Sequence, residues 1–266
     1  MPELPEVESY RSLAASAALG REITGVSAPD SWYLKGGADA AILRARLIGG
    51  RFTGARRRGK LLLLDHRGTG PGRDSVLGLR FGMTGRLVVD GVAAVDGLLY
   101  SASTNQARHD RFAVGFAGGG SMVVHDPRRL GGVELDPDES RLGPDALTLT
   151  PSQLGAALAG SAAPLKACLL DQGRLAGVGN LIADEVLWRA GLSPQRAGRS
   201  LEPFEIRRLH RHLRRSLDEL MRRGGSHTGD LQEHRLPGGL CPRDGSPLAR
   251  ATVGGRTTWW CPAHQR

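Results

Sequence analysis

The spacing of apolar residues changes character twice along this chain. Near the start, Val7, Tyr10, Ala14 and Ala17 recur at three- and four-residue steps, which predicts an amphipathic helix over about 5–19. Apolar residues then gather into strand-length runs. These are KLLLLDH at 60–66, SVLGLRFGM at 75–83, and a hairpin in which RFAVGF and SMVVHD flank AGGG. Short strands divided by turn signals predict a β-sandwich. Glycine, at 38 of 266 residues, shows no period and fits turn-rich β structure. The helical period returns after DPDESRLGPDALTLTPSQ, a polar, proline-bearing stretch that reads as a linker. Helices are expected at 154–158, 165–170, 180–188 and 203–223, with Gly224 and Gly225 ending the last one. The fold class is therefore α+β and multidomain. Residues 1–135 form a helix and sandwich, 136–150 a linker, 151–225 a helical domain and 226–266 a C-terminal hairpin.

Charge narrows the partner. The chain carries 36 Lys+Arg against 27 Asp+Glu, a formal +9, and a sequence pI near 10.4, which suits a polyanion. A membrane surface is the competitor. No apolar run approaches the roughly 20 residues of a spanning helix, and PELPEVE lacks the basic region of a signal peptide, so a soluble, cytoplasmic protein is expected, nucleoid-associated if bacterial. Three cysteines, an odd number, argue against a disulfide framework; Cys168 in LKACLL reads as core. The helix at 203–223 keeps Ile206, Leu209, Leu213, Leu217 and Leu220 on one side and most of its arginines elsewhere, which serves a solvated face as well as a nucleic-acid contact.

Only three of the basic residues are lysine: Lys35, Lys60 and Lys166. Arginine stays protonated, whereas a partly desolvated ammonium can donate or relay a proton. Lys60, inside RRRGK, is a candidate for a phosphate or a reacting sugar, and Lys166 for a phosphate. In the tail, Cys241-x2-Asp244 and Cys261-x2-His264 flank a hairpin-like stretch, the layout of a zinc ribbon. A metal-free finger packed on Trp259 and Trp260 is the other reading of that tail. At the opposite end, Pro2 and Glu3 follow Met1. Proline inside a chain starts a helix, but at a free N-terminus it is a secondary amine and a nucleophile.

An ordered set of motifs resembles one family, the formamidopyrimidine-DNA glycosylase and endonuclease VIII enzymes of base-excision repair. Its carriers are PELPEVE at 2–8, RRRGKLLLL at 56–64, LRFGMTGRL at 79–87, HDPRRLGG at 125–132, LGPDAL at 142–147, LKACLLDQGRLAGVGNLIADEVLWRAGLSP at 165–194 and the paired-ligand tail. PELPEVE leans toward the formamidopyrimidine branch. The resemblance implies an N-terminal helix with a β-sandwich, a helix-two-turns-helix domain at 151–225 and a zinc finger. It implies that Pro2 attacks C1′ of a flipped nucleotide and forms an imine. Glu3 would act as general acid and base, and Lys60 as the active-site lysine. Glu3 has a second reading as a carboxylate at a helix N-terminus. Lys166, Asn180 and Arg256 match residues that hold DNA phosphates, while Met83, Arg128 and Leu130 match side chains that enter the duplex.

Leu130 stands where the purine-specific branch commonly has an aromatic residue. The segment 224–240 is shorter than the one that, in many relatives, closes over 8-oxoguanine. The implied partner is duplex DNA carrying an oxidised base or an abasic site, bound by a monomer, with structural zinc on Cys241, Asp244, Cys261 and His264 and no catalytic cofactor. The implied activity is a DNA glycosylase with AP lyase activity. Three alternatives stay open: a catalytically silent binder of damaged DNA, a general zinc-ribbon nucleic-acid binder, and specificity for oxidised pyrimidines.

Overall fold

The computed structural model describes residues 2–70, 72–95 and 106–266. Met1, whose removal would free the Pro2 amine, lies outside the described residues. The chain divides into two compact units, one of Pro2 with Glu6–Glu139 and one of Glu3–Pro5 with Ser140–Arg266. Along the first run α1 (Leu4–Ala17), β1 (Ile23–Ser27), α2 (Ala40–Leu47), β2 (Arg51–Arg58), β3 (Leu61–Arg67), β4 (Ser75–Arg80), β5 (Arg86–Val89), β6 (Val92–Ala93), β7 (Asp110–Phe116), β8 (Ser121–His125) and β9 (Gly132–Leu135). The second contains α3 (Pro151–Leu158), α4 (Leu165–Leu170), α5 (Asn180–Ala190), α6 (Pro203–Arg223), β10 (Ala249–Val253) and β11 (Arg256–Trp260).

The first unit is the expected sandwich. One sheet has the order β2-β3-β4-β9 and the other β1-β7-β8-β5-β6, with every strand pair antiparallel. Alternation puts Phe52, Leu62, Leu64, Leu77, Leu79 and Val133 of one sheet in a common core with Phe112, Val114, Met122, Val124 and Leu87 of the other. Val7, Tyr10 and Ala14 of α1 enter the same core, and Tyr10 meets Phe81 with ring centroids 4.5 Å apart. The run SVLGLRFGM does not stay a strand to its end. It leaves the sheet after Arg80, because Gly82 takes φ 56° and Gly85 N–H donates back to the Phe81 carbonyl. The arginines of β2 conceal its strand pattern, since their long stems lie half-buried while their heads carry charge. The short α2 is set by Asp39, whose carboxylate accepts the Ile42 N–H.

In the second unit, Thr150 and Gln153 form a capping box with Pro151 in the first turn of α3. Leu209, Leu213, Leu217 and Leu220 of α6 are buried with Leu154, Leu165, Leu169, Ile182 and Val186, while Arg207, Arg211, Arg215 and Arg222 are exposed. Gly224, at φ 94°, ends α6. The chain beyond it is tied back. Glu185 on α5 accepts the N–H groups of Asp230 (3.1 Å) and Leu231 (2.9 Å), and Leu231 is fully buried. Arg189, nearly buried on the same helix, pairs with Glu185 (2.6 Å), Glu219 (2.5 Å) and Asp230 (2.7 Å).

Removing one partner of a buried ion cluster leaves uncompensated charge, so Arg189→Met is expected to destabilise the protein by about 3–5 kcal/mol in urea unfolding. The deficit should shrink in acid. Hydrogen bonds from Arg215 and Arg189 hold Glu219 below its ordinary 4.5, at about 2. Its contribution is therefore complete above pH 4.5 and lost as pH falls toward 2, which unfolding curves across that window would show.

Candidate active site and metal centre

Pro2 is buried immediately ahead of α1. Glu3, fully buried, lies just ahead of α1 and reaches α5. Its Oε1 accepts the Leu181 N–H at 2.9 Å and its Oε2 the Ile182 N–H at 3.2 Å. The first N–H groups of a helix have no intrahelical acceptor and lie at the positive end of its dipole, so a carboxylate is well placed there. The reading of Glu3 as a carboxylate at a helix N-terminus is met at α5 and not at α1. The approach is close: a Cβ on Gly179 would stand 2.2 Å from the Glu3 Cδ. Leu4 N–H also donates to the Gly177 carbonyl at 3.3 Å. GVGN is therefore a surface built around Glu3, and Asn180 begins α5 with its Oδ1 buried and without a hydrogen-bond partner.

Lys60 follows Gly59 (φ 59°) in the two-residue turn between β2 and β3, where Arg58 pairs with Leu61. Glycine at the first central position and an ordinary residue at the second suit a type II′ hairpin turn, so RRRGK presents the half-buried Lys60 at a fixed tip. Arg57 braces the turn through Glu8 (2.9 Å) and the Gly59 carbonyl (2.8 Å).

Met83, Arg128 and Leu130 come from two neighbouring turns of the first unit. Met83 is half-buried, Arg128 is exposed and Leu130 is 51% exposed. The buried Asp126 accepts the Thr84 hydroxyl (2.6 Å) and Arg128 N–H (3.3 Å) on Oδ1, and the Gly131 N–H (2.9 Å) on Oδ2. Arg129, at φ 56°, is clamped by both oxygens of Asp30 at 2.6 and 2.7 Å. That hydrogen-bonded Arg129 guanidinium, with the charges of Arg129 and Arg111, holds the Asp30 carboxyl below its usual range. Sequence inspection passes over Asp126 and Thr84. Their signal is a carboxylate within HDPRRLGG and a hydroxyl beside Met83, each in an apolar setting.

Lys166, expected at a DNA phosphate, lies in the interior of its unit. Its side chain is fully buried, and Nζ lies 2.6 Å from Asp184 Oδ1 while donating to Thr257 O (3.1 Å) and Thr258 Oγ1 (2.8 Å). With its donors directed to protein acceptors, the ammonium holds β11 against α4 rather than reaching outward. Burial pushes the Lys166 ammonium below its usual range and the Asp184 carboxyl above its own, while their mutual attraction opposes both shifts. Arg235 also pairs with Asp184, at 2.9 Å. Arg256, exposed, follows the Gly254-Gly255 turn of the β10–β11 hairpin, and a Cβ on Gly254 would stand 2.9 Å from Ala167 on α4. Lys166 thus supports the strand that begins with Arg256.

Cys241, Asp244, Cys261 and His264 converge, each offering a ligand atom within 4.8 Å of the others. His264 Nδ1 lies 2.9 Å from Asp244 Oδ2 and 3.8 Å from Cys241 Sγ, and Cys261 Sγ lies 3.4 Å from Asp244 Oδ2. Ligand bonds of about 2.0–2.3 Å at tetrahedral angles separate ligand atoms by roughly 3.3–3.8 Å, the spacing of the Cys241–His264 and Cys261–Asp244 contacts, while His264 and Asp244 stand closer, at hydrogen-bond distance; a small shift of those two would let the four residues hold one small cation. Trp188 at the end of α5 serves two of them. Its indole N–H donates to Cys241 Sγ (3.3 Å), and its carbonyl lies 3.3 Å from His264 Nε2, which leaves Nδ1 for the cluster.

A sandwich headed by a buried Pro-Glu pair, a helical unit and a four-ligand hairpin define the class of helix-two-turns-helix DNA glycosylases. The model of the formamidopyrimidine-DNA glycosylase N-terminal domain matches residues 1–133, and that of the formamidopyrimidine-DNA glycosylase H2TH domain matches 142–231. The formamidopyrimidine-DNA glycosylase of Thermus thermophilus is 37% identical, with 100% of this chain and 98% of that protein covered. That of Chloroflexus aurantiacus is 33% identical at the same coverage. Among solved structures, a Lactococcus lactis Fpg in complex with an abasic site containing DNA superposes with a TM-score of 0.81 at 26% identity, covering 99% of each chain. The same protein with a FAPY-dG containing DNA gives 0.82 at 26% identity, covering 99% of this chain and 100% of that one.

This chain belongs to the formamidopyrimidine-DNA glycosylase family. It is a DNA glycosylase and AP lyase of base-excision repair. None of its described helices is long and apolar enough to cross a membrane.

Lys166→Met leaves Asp184 with Arg235 as its remaining cation and takes the donor from Thr257 O and Thr258 Oγ1, and should lower the melting temperature clearly. Adding Asp184→Asn is expected to lower it further, because the nearly buried Arg235 then loses its carboxylate and is left as an uncompensated charge. Thermal denaturation of the two variants checks this.

Proposed function

We propose that this enzyme excises oxidised purines, including ring-opened formamidopyrimidines, from duplex DNA through an imine on Pro2, followed by β,δ-elimination. The observation that carries this reading is Glu3, fixed by two N–H groups of α5 directly beside Pro2. A target base must leave the helix stack before its glycosidic bond can be reached. The Pro2 secondary amine then attacks C1′, the C1′–N bond breaks, and the base departs with that electron pair and a proton. Glu3 protonates the sugar oxygen as the ring opens. The resulting iminium is cationic and draws electrons from C2′. Loss of a C2′ proton expels the 3′ phosphate, and a second elimination expels the 5′ phosphate. An α-amino group titrates near 7.7–8.0, so a useful neutral fraction exists around neutral pH.

Lys60 supplies a cation at the β2–β3 turn for the reacting sugar and its phosphate. Asn180 and Arg256 hold phosphates flanking the lesion; Lys166 acts behind Arg256 by fixing β11. Met83, Arg128 and Leu130 fill the space the nucleotide leaves, where an apolar wedge offsets the few kcal/mol of lost stacking. Leu130 offers less stacking than an aromatic residue, so discrimination of the opposite base rests more on Arg128. Residues 1–135 carry the chemistry, 151–225 the helix-two-turns-helix contacts and 226–266 the finger, with 136–150 between them and the monomer as the working form. Relatives that bear the formamidopyrimidine-DNA glycosylase name over the full length of this chain favour the purine branch over oxidised-pyrimidine specificity. Zinc is the cation whose chemistry suits two thiolates, an imidazole and a carboxylate, and its role here is structural.

Borohydride should trap the Met1-processed protein on a duplex with one abasic site. A form extended ahead of Pro2, whose nitrogen is then an amide, should bind that duplex and give no adduct. An adduct from both forms would place the nucleophile elsewhere. For the finger, protein stripped by chelator should take up one zinc per chain, with a change in Trp188 emission. Asp244→Ala should weaken uptake about tenfold or more and Asp244→Cys should strengthen it, as competition with a chromogenic chelator would report.

A further inference from the structure

Two turns of the first unit, residues 81–85 and 126–131, are built as one piece. The Thr84 hydroxyl donates to Asp126 Oδ1 at 2.6 Å, and Arg128 N–H is shared between Asp126 Oδ1 and Thr84 Oγ1, each at 3.3 Å. Asp126 Oδ2 takes the Gly131 N–H at 2.9 Å, closing the second turn on itself. Neither Thr84 nor Asp126 has meaningful contact with solvent, at 1% and 0% exposure. A second, independent feature is steric. The turns lie back to back so closely that a Cβ on Gly82 would stand 2.4 Å from the Leu130 carbonyl carbon and 2.6 Å from Gly131 N. Tyr10 fixes the base of the first turn through the Gly85 carbonyl at 3.1 Å, and Arg111 Nε fixes the second through the Asp126 carbonyl at 2.8 Å.

We propose that Thr84 and Asp126 are positioning residues that lock Met83, Arg128 and Leu130 into a single wedge, so that the three side chains enter the duplex together. This rests on the reading that those side chains insert into DNA. Neither Thr84 nor Asp126 needs to touch the nucleic acid. A buried carboxylate with donors from both turns resists the sliding of one turn past the other, because each hydrogen bond lost would leave a buried charge short of a donor. The wedge works against the stacked opposite strand, so its rigidity matters only where such a strand exists. Discrimination between duplex and single-stranded substrates therefore depends on this hydrogen bond, although the chemistry at C1′ does not.

The test compares cleavage of one abasic site in single-stranded and in duplex DNA, the duplex carrying 2-aminopurine opposite the site as a reporter of insertion. Thr84→Val and Thr84→Ala, with thermal denaturation showing them folded, should cleave the single strand at the unsubstituted rate. They should cleave the duplex about tenfold more slowly, with a smaller 2-aminopurine signal, as loss of orientation predicts. Thr84→Ser, which keeps the hydroxyl, should restore both. If Thr84→Val and Thr84→Ala match the unsubstituted protein on the duplex in rate and fluorescence, the proposal falls. Met83→Ala, Arg128→Ala and Leu130→Ala separate the two readings. Unchanged fluorescence in all three removes the insertion reading and this proposal with it, whereas loss of signal there but not in the Thr84 variants removes the proposal alone.

Discussion

The structure depends on holding still the part of a chain that is ordinarily least ordered. Chain ends fray unless something ties them down. Here the tie is electrostatic and local. The Glu3 carboxylate occupies the N–H groups at the start of α5, Leu4 joins the apolar core of the same unit, and Gly177 and Gly179 give the backbone approach that a side chain would block. One residue later the chain turns into α1, whose Val7 and Tyr10 anchor in the sandwich. Pro2 is thus followed by five consecutive buried positions, Glu3 to Val7, rather than by a tail.

The second organising theme is the division of labour between the two cations. Arginine writes the surface charge and makes forked contacts, to three carboxylates at Arg189 and to both oxygens of one, Asp30, at Arg129. Lysine appears where a compact charge is needed. At Lys166 that need is internal, since the ammonium places its donors on Asp184 and two groups of β11.

Much of this was legible in the sequence where a local rule sufficed. The glycine-terminated α6, the leucine-rich β3, the β7–β8 hairpin and the four-ligand tail all follow from period, turn chemistry or ligand spacing. The strand β2 was not, because arginine stems half-bury without altering the polar letter pattern. The fate of Lys166 was hidden for a related reason: Asp184 and Thr258, which hold it inside, are distant in sequence and unremarkable by themselves. Asp126 and Thr84 were equally silent, since their importance lies in a contact across 42 positions.

Because Lys166 is sealed inside, Lys35 and Lys60 are the only lysine amines within reach of a modifying reagent or enzyme among the described residues, and both are half-buried. Acetylation or glycation, which act on lysine, would leave the arginine-borne charge of this protein almost untouched. The same chemistry at Lys60 would neutralise the cation at the β2–β3 turn. The protein's attraction to polyanions is therefore insulated from acylation, while the β2–β3 turn carries a side chain that acylation would neutralise.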